Sequence, residues 1–402
     1  MSERIERLED LSPLKRELLI RKLQQTQKAK ERLSSIVPRK DQSTFPLSLA
    51  QQQLWFLSQL NRNSPFYNIA AALRIQGPFD LQILREALRI IFERHEMLRM
   101  RIITKSGEPE QVLAHSELPF QLVDLQDIPK QDRPAVLELL AKQEAQKSFD
   151  LAQDVLIRVK VLDCEPTDRV LLLTMHHIIA DGWSMGILIK EMIELYQSLL
   201  SGQTLTLPEL PLNYADFAEW QEHFMKSEPY QQQVEYWKEH LTGAPAILEL
   251  PTDKSRPAVQ SYNGAHYRFD LPADLWEDMT RLGRTEQATP FMTFLAAFQV
   301  FMHRYSGQDD LCVGTPIANR EKPEIQNLMG YFVNTLVMRA DFNERPTFRD
   351  LLRHIQKDTL DAFSNQDVPF EKLIEELNPE RNPSHSPLVQ VMFALQGSRS
   401  RA

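Results

Sequence analysis

Residues 170–184 read Val-Leu-Leu-Leu-Thr-Met-His-His-Ile-Ile-Ala-Asp-Gly-Trp-Ser, and this stretch decides the fold of its surroundings. The apolar run 170–175 predicts a strand buried on both faces. Because successive side chains in a strand point to opposite faces, His176 and His177 are predicted to lie on opposite sides, one facing a pocket and the other packed. A tight Asp181–Gly182 turn follows. The helical spacing of apolar residues after it predicts a helix with Ser184 as its N-cap.

This strand–turn–helix arrangement suits a histidine that acts as a general base. A ring near the N-terminus of a helix feels the positive end of the helix dipole, which disfavours the imidazolium form. The backbone N–H groups at Gly182 could donate to a developing oxyanion. The alternative is a pair of structural core histidines. The neighbouring Asp181, the Gly182 turn and the helix start argue against that alternative.

The composition restricts the class of protein. A chain of 402 residues suggests two or three domains. A net charge of −9 argues against nucleic-acid binding, and no apolar stretch is long enough to cross a bilayer. The charged N-terminus has no apolar signal core, so we expect a cytoplasmic protein. Cys164 and Cys312 are predicted to be buried free thiols, and no metal site is expected.

The chain divides into three predicted regions. Residues 1–43 are a leader with a helix at 11–23 and a charged linker, 44–211 are a first α/β lobe, and 212–402 are a second. The boundary follows the Pro-rich run 207–211. Helices are predicted at 48–60, from the cap Asp80 through Phe92, at 293–303 and at 348–363. Strands are predicted at 69–75, 98–103, 155–162, 170–175, 310–316 and 331–339.

The stretch His176–Gly182 also matches an HHxxxDG signature, and six further motifs accompany it in order. They are Ser48–Trp55, Arg94–Arg99, Tyr214–Trp220, Met329–Thr335, Asn365–Glu371 and Arg381–Leu388. Together they resemble the seven motifs of condensation domains of nonribosomal peptide synthetases, which belong to the chloramphenicol acetyltransferase superfamily. The resemblance covers the chain from about residue 48 to residue 388.

The resemblance implies a fold and an activity. The fold would be two chloramphenicol acetyltransferase-like lobes in a V-shaped pseudo-dimer, with the active site in a tunnel between them. The activity would be an acyltransferase reaction in secondary-metabolite or antibiotic biosynthesis. An acyl or peptidyl thioester on an upstream carrier protein would be attacked by the amine of an aminoacyl thioester on a downstream carrier. The motif variants favour the subtype that takes an L-configured donor.

The resemblance also implies partners. Both substrates would arrive on 4'-phosphopantetheine arms of peptidyl carrier domains, so the domain would need no cofactor of its own. An adenylation domain would follow it. The chain would act as a monomeric domain of a multidomain synthetase, without contact to nucleic acid or membrane.

Roles for single residues follow from the same resemblance. His177 would be the general base or would position the amine, and His176 would be structural. Asp181 would be an organiser paired with an arginine of the second lobe, for which Arg320 is the candidate. Gly182 would allow close approach of the backbone to the thioester. Two further residues are candidates for support: Trp183 would pack, and Asn334 would be either a structural hydrogen-bonding group or a substrate contact.

The sequence departs from the family pattern in places. Gln53 replaces the usual arginine of the first motif, and Met100 replaces the usual threonine of the second. The chain ends soon after Leu395, where family domains continue, so we expect an incomplete second lobe. Arg94 and Glu96 are expected to form ion pairs, and Arg99 excludes the HExxH motif of zinc proteases.

Three rival functions share the histidine motif. An epimerisation domain would deprotonate a Cα, but the first and fifth motifs here are of the condensation type. A heterocyclisation domain would carry aspartates in place of the histidine pair. A non-catalytic domain that recruits a partner would typically lose the second histidine or the glycine, and His177 and Gly182 are both present.

Overall fold

The computed structural model describes residues 35–39, 44–61, 64–203, 207–258, 264–379 and 384–396. The helix predicted at residues 11–23 lies outside the described part of the chain. The first lobe denotes residues 44–211, and the second lobe denotes residues 212–402.

The first lobe alternates strands and helices. In chain order they are β1 Thr44–Phe45, α1 Leu49–Leu60, β2 Asn68–Gln76, α2 Leu81–Arg94, β3 Met100–Lys105, β4 Glu108–Leu113, β5 Phe120–Asp124, α3 Arg133–Gln146, β6 Ile157–Glu165, β7 Asp168–His176 and α4 Gly182–Leu200. Short 3-10 helices cover Glu96–Arg99 and His177–Ile179. Every helix and strand predicted in this lobe forms, with ends shifted by a few residues.

The second lobe is richer in helix. Its elements are α5 Tyr214–Phe224, α6 Glu228–Leu241, α7 Ala273–Thr285, α8 Pro290–Ser306, β8 Asp310–Ile317, β9 Asn334–Asp341, α9 Phe348–Ser364 and α10 Phe370–Leu377, with a 3-10 helix at Pro323–Ile325. The strand predicted at 331–339 begins only at Asn334. Residues 330–332 turn toward the first lobe instead, where the Phe332 N–H donates to Asp181.

Strand β7 lies inside a four-stranded sheet of order β2-β7-β6-β5. It pairs antiparallel with β2 and with β6, whereas β5 and β6 are parallel. Residues 171–176 are buried without interruption, which confirms the prediction of a strand buried on both faces. A second sheet has the order β1-β4-β3, and β8 pairs antiparallel with β9. The fold is mixed α/β.

The N-caps show where local sequence decides helix starts. Asp80 caps α2 through the N–H groups of Gln82 and Ile83, as predicted. The predicted cap of α4 is wrong: Asp181, not Ser184, is the N-cap, and Gly182 is the first helical residue. The Asp181 carboxylate reaches the Ser184 N–H at 2.7 Å and therefore begins the helix three residues earlier.

Two large hydrophobic cores organise the chain. The first holds buried side chains from β1, β3, β6, β7, α1, α2 and α4, and it also includes eight residues of the second lobe: Leu212, Tyr214, Ala215, Phe217, Ile325, Leu328, Met329 and Phe332. The second core holds residues from Phe224 to Val389. The two cores meet within α5, the first core also reaches into residues 325–332, and the division of lobes at residues 211 and 212 stays a prediction. No helix among the described residues is long and apolar enough to cross a membrane.

Candidate active site

The two histidines of the motif separate because strand β7 ends between them. His176 is the last residue of β7, and His177 opens the 3-10 turn 177–179. The prediction that strand alternation separates the rings is therefore wrong in its reason, because His177 is not in the strand. The His177 N–H donates to the Tyr67 carbonyl at 2.7 Å, one step beyond the last strand pair, His176 with Asn68, and the Ala180 N–H donates to the His177 carbonyl at 3.2 Å, which closes the turn. The two rings nevertheless lie in different surroundings.

His176 is a buried, neutral histidine. Its Nδ1 accepts the Ile178 N–H at 3.1 Å, so the ring hydrogen is on Nε2. The rings of Tyr67 and Phe149 lie 6.3 and 6.2 Å away, centroid to centroid. Burial first, and the proximity of His177 second, lower the pKa of His176 to about 3. This geometry fits the structural role expected for it.

His177 is only partly buried, and its ring is oriented by a backbone acceptor. Nδ1 lies 3.1 Å from the Ala180 carbonyl oxygen. Because a carbonyl oxygen can only accept, Nδ1 carries the hydrogen and Nε2 keeps its lone pair. Burial lowers the pKa of His177, although the Ala180 bond and the Asp181 charge oppose that shift. The ring is therefore a neutral base with one nitrogen available near neutral pH.

The Asp181 carboxylate is fully buried and fully engaged. Oδ1 accepts from the Ser184 N–H and hydroxyl, each at 2.7 Å, and Oδ2 accepts the Phe332 N–H at 3.2 Å. Arg320 Nη2 lies 3.1 Å from Oδ1 and 3.2 Å from Oδ2. The predicted pair between Asp181 and Arg320 forms. With its lone pairs occupied, the carboxylate organises the site and is not free to act as a base.

Arg320 extends this contact through the second lobe. Its Nη1 donates to the carbonyls of Ile325 at 3.0 Å and Leu328 at 2.6 Å. The guanidinium carbon lies 4.0 Å from the centroid of the Phe332 ring. Burial lowers the pKa of Arg320, and Asp181 opposes that shift. Arginine keeps its proton at neutral pH, so the pair is ionic.

Ser184 and Gly330 form a second contact that sequence reasoning missed. The Ser184 hydroxyl accepts the Gly330 N–H at 3.1 Å and lies 3.0 Å from Arg320 Nη2. A Cβ on Gly330 would overlap the ring of Tyr214, so only glycine fits there. In the sequence, the only indication of this contact is the Ser184 hydroxyl three residues after Asp181. That spacing does not indicate that the hydroxyl contacts Gly330, which lies far along the chain.

Residues of the first motif form hydrogen bonds to the turn that carries His177 and to Tyr214. Gln51 is fully buried and donates to the Ile178 carbonyl at 2.9 Å, while Ser48 contacts the Tyr214 hydroxyl at 2.8 Å. The two departures from the family pattern lie apart from this network. Gln53 is exposed on α1, and Met100 is buried in the first core.

Gly182 and Trp183 are the first two residues of α4, directly after Asp181. A Cβ on Gly182 would meet nothing within 4 Å, so packing within the chain does not require glycine there. Trp183 was expected to pack; it is 38% exposed, and its ring centroid lies 5.9 Å from the guanidinium carbon of Arg320. Its indole N–H donates to the Gln326 carbonyl at 2.8 Å, because the start of α4 faces the second lobe. Trp183 therefore adds a hydrogen bond between the lobes.

Asn334 uses its whole amide inside the second lobe. Nδ2 donates to the carbonyls of Gln366 at 2.9 Å and Val368 at 2.8 Å. Oδ1 accepts the N–H groups of Thr335 and Phe370. Since no donor or acceptor remains, the geometry favours the structural alternative over a substrate contact.

The second motif forms the ion pairs expected of it. Arg94 lies 3.3 Å from Glu191, and Glu96 lies 2.6 Å from Arg39. His95 bonds Glu191 at 2.8 Å in the same cluster. Among the residues that the structure describes, no group of three or more His, Cys, Asp or Glu side chains could hold a metal ion.

The family follows from comparison with known proteins. A family model described as "Condensation domain" matches residues 41–400. The chain belongs to the condensation-domain family. This family occurs in nonribosomal peptide synthetases and catalyses amide-bond formation, which is an acyl transfer to an amine.

Parts of much longer synthetases are similar in sequence to this chain. It is 48% identical to a part of a linear gramicidin synthase from Brevibacillus parabrevis, over 90% of the chain and 5% of that protein. It is 40% identical to a part of phosphinothricin tripeptide synthetase PhsC from Streptomyces viridochromogenes, over 90% of the chain and 34% of that protein. The chain thus spans about a third or less of these relatives.

Solved structures share the fold. The X-domain from teicoplanin biosynthesis superposes with a TM-score of 0.81 at 25% identity, over 89% of this condensation domain and 79% of that chain. The first condensation domain of the calcium-dependent antibiotic synthetase, solved with a substrate analogue, superposes with a TM-score of 0.71 at 20% identity, over 88% and 81%. The architecture is the chloramphenicol acetyltransferase-like fold.

Proposed function

We propose that this chain joins an acyl or peptidyl group to an aminoacyl group by forming a peptide bond, with His177 as the catalytic residue. The observation that carries the proposal is the His177 ring. Ala180 fixes its tautomer, burial keeps it neutral, and Nε2 remains available. A base for amine attack near pH 7 needs these three properties.

In the proposed reaction His177 transfers one proton from the amine to the leaving group. The amine nitrogen of the acceptor attacks the thioester carbonyl carbon, a C–N bond forms, and the C–S bond breaks. His177 Nε2 takes the proton that the amine loses and passes it to the departing thiolate sulfur. Gly182, at the N-terminus of α4, supplies a backbone N–H and the helix dipole for the developing oxyanion.

The substrates and partners belong to the same proposal. Donor and acceptor are thioesters on the 4'-phosphopantetheine arms of an upstream and a downstream carrier domain, and the arms enter a tunnel between the lobes. The donor residue has the L configuration. An adenylation domain follows, and the chain acts as a monomeric part of a longer synthetase. The proposal that the chain is part of a longer synthetase is supported by the relatives, because this chain matches only a small part of their length.

A reconstitution tests the function. The chain is mixed with a donor carrier loaded with an L- or D-aminoacyl group and an acceptor carrier loaded with an aminoacyl group. Intact-mass spectrometry then follows the dipeptidyl carrier. We expect product with the L-donor and a loss of about 10²–10⁴-fold in His177→Ala. His223→Ala, on the exposed side of α5, is the matched control. Turnover of His177→Ala at the wild-type rate would show that the assigned role is wrong.

One rival function has a specific observation in its favour. One solved structure with a similar fold is an X-domain in complex with OxyB, which superposes with a TM-score of 0.79 at 26% identity. A domain that only recruits a partner would yield no dipeptidyl carrier in the reconstitution. Exchange of the Cα hydrogen in deuterated water, again without dipeptide, would instead indicate epimerisation. His177 and Gly182 favour condensation over recruitment.

A further inference from the structure

The ring of Tyr331, from the second lobe, packs against the ring of His177. The centroids of the two rings lie 5.4 Å apart, with the planes at 68°, an edge-to-face arrangement. His177 belongs to the first lobe and Tyr331 to the second. A residue from the opposite lobe therefore lies directly against the proposed base.

The backbone around Tyr331 is held at three consecutive residues. The Gly330 N–H donates to the Ser184 hydroxyl at 3.1 Å, the Tyr331 carbonyl accepts the Tyr214 hydroxyl at 2.6 Å, and the Phe332 N–H donates to Asp181 at 3.2 Å. Each of these partners is buried. A side chain on so constrained a backbone is a preorganised support.

We propose that Tyr331 is a positioning residue for His177: its ring holds the imidazole against the Ala180 carbonyl and keeps water from that side. This inference rests on the proposed function. The aromatic ring positions the imidazole and the hydroxyl does not, because the edge-to-face contact needs only the aromatic surface. A displaced imidazole would reduce the rate of the chemical step, since small errors of geometry at a reacting centre cost up to about 100-fold.

Titratable groups from both lobes surround the pair, and Asp181 influences Tyr331 as well as His177, while Tyr331 in turn influences Tyr214. On the first lobe His177 is influenced by Asp181 and has His176 as its neighbour in the chain. On the second lobe Tyr331 is influenced by Glu371, and also by Tyr67 from the first lobe. Burial raises the pKa of Tyr331, so the phenol is neutral at any working pH. Removing the ring admits water to the imidazole, and the pKa of His177 then rises toward its usual value.

Two substitutions separate the ring from the hydroxyl. Tyr331→Phe keeps the ring, and we expect its turnover within about 2-fold of wild type. Tyr331→Leu removes the ring, and we expect kcat to fall about 10–100-fold with the KM for the acceptor carrier changed less than about 3-fold. Tyr305→Leu, at an exposed tyrosine of α8, is the matched control.

A direct titration completes the test. NMR of the histidine-labelled chain, with the His177 signal assigned from His177→Gln, should show a higher His177 pKa in Tyr331→Leu than in wild type and Tyr331→Phe. If Tyr331→Leu does not fold, Tyr331→Met is titrated in its place. The inference would be overturned if the variant without the ring kept the wild-type His177 pKa and kcat. It would also be overturned if Tyr331→Phe and Tyr331→Leu lost kcat equally. Either outcome, with His177→Ala still inactive, leaves the proposed function standing.

Discussion

The Asp181 carboxylate and the Arg320 guanidinium lie 3.1 Å apart, and both side chains are almost completely excluded from solvent. One belongs to the N-cap of α4 in the first lobe, and the other to the segment after β8 in the second. The pair therefore joins the two lobes at the base of the histidine turn. A buried charge left without its partner is strongly destabilising.

Arg320→Met tests this link through stability. We expect the free energy of unfolding to fall by about 3–5 kcal/mol, because Asp181 would remain buried and unpaired. Asp181→Asn keeps an N-cap acceptor, and the double variant should lose less than the sum of the two single losses. Urea unfolding measures all three. Arg281→Met removes an exposed pair with Asp278 and should cost less than about 1 kcal/mol.

Two glycines of the site should respond in opposite ways to alanine. Gly330→Ala should lower the free energy of unfolding by about 1–3 kcal/mol, because the new Cβ overlaps the Tyr214 ring. Gly182→Ala places its Cβ in open space, so stability should change by less than about 1 kcal/mol. Condensation by Gly182→Ala should nevertheless fall if the thioester approaches that backbone. Full activity in this folded variant would contradict the close approach.

Much of the first lobe could be predicted from local pattern. The apolar run 170–175 predicted β7, and Asp80 predicted the start of α2, because burial and capping act over a few residues. The end of β7 could not be predicted in this way. It depends on contacts after the last pair, His176 with Asn68: the His176 ring accepts the Ile178 N–H, and the Ala180 N–H donates to the His177 carbonyl and closes the 3-10 turn.

The contacts within the site could not be predicted from local sequence patterns. Asp181 and Arg320 are 139 residues apart, and only the resemblance to a family brought them together. The Gly330 contact with Tyr214 and the ring of Tyr331 against His177 depend on how the lobes pack. The motifs include Asp181, Tyr214, Gly330 and Tyr331 but not Arg320, and none of them indicates which of these residues are in contact.

His176 should make the protein sensitive to acid. Burial lowers the pKa of His176 to about 3, whereas an unfolded chain binds that proton near 6.5. Between these values the unfolded state holds more protons, so stability falls as pH decreases, by at most about 1.4 kcal/mol per pH unit from this group. Urea unfolding between pH 7 and 5 should therefore show a shallower pH slope in His176→Gln. The exposed His266→Gln should keep the wild-type slope, and equal slopes in all three proteins would contradict the prediction.

The pH dependence of turnover distinguishes the two roles open to His177. A base works only while neutral, so its contribution is lost as pH falls through the His177 pKa, which burial lowers below 6.5. Single-turnover rates with saturating loaded carriers should therefore show an acidic limb below pH 6.5 that is missing in His177→Ala. The acceptor amine adds its own limb near its ordinary pKa, about 7.7–8.0, and that limb should remain in the variant. If wild type shows the amine limb alone, His177 only positions the amine.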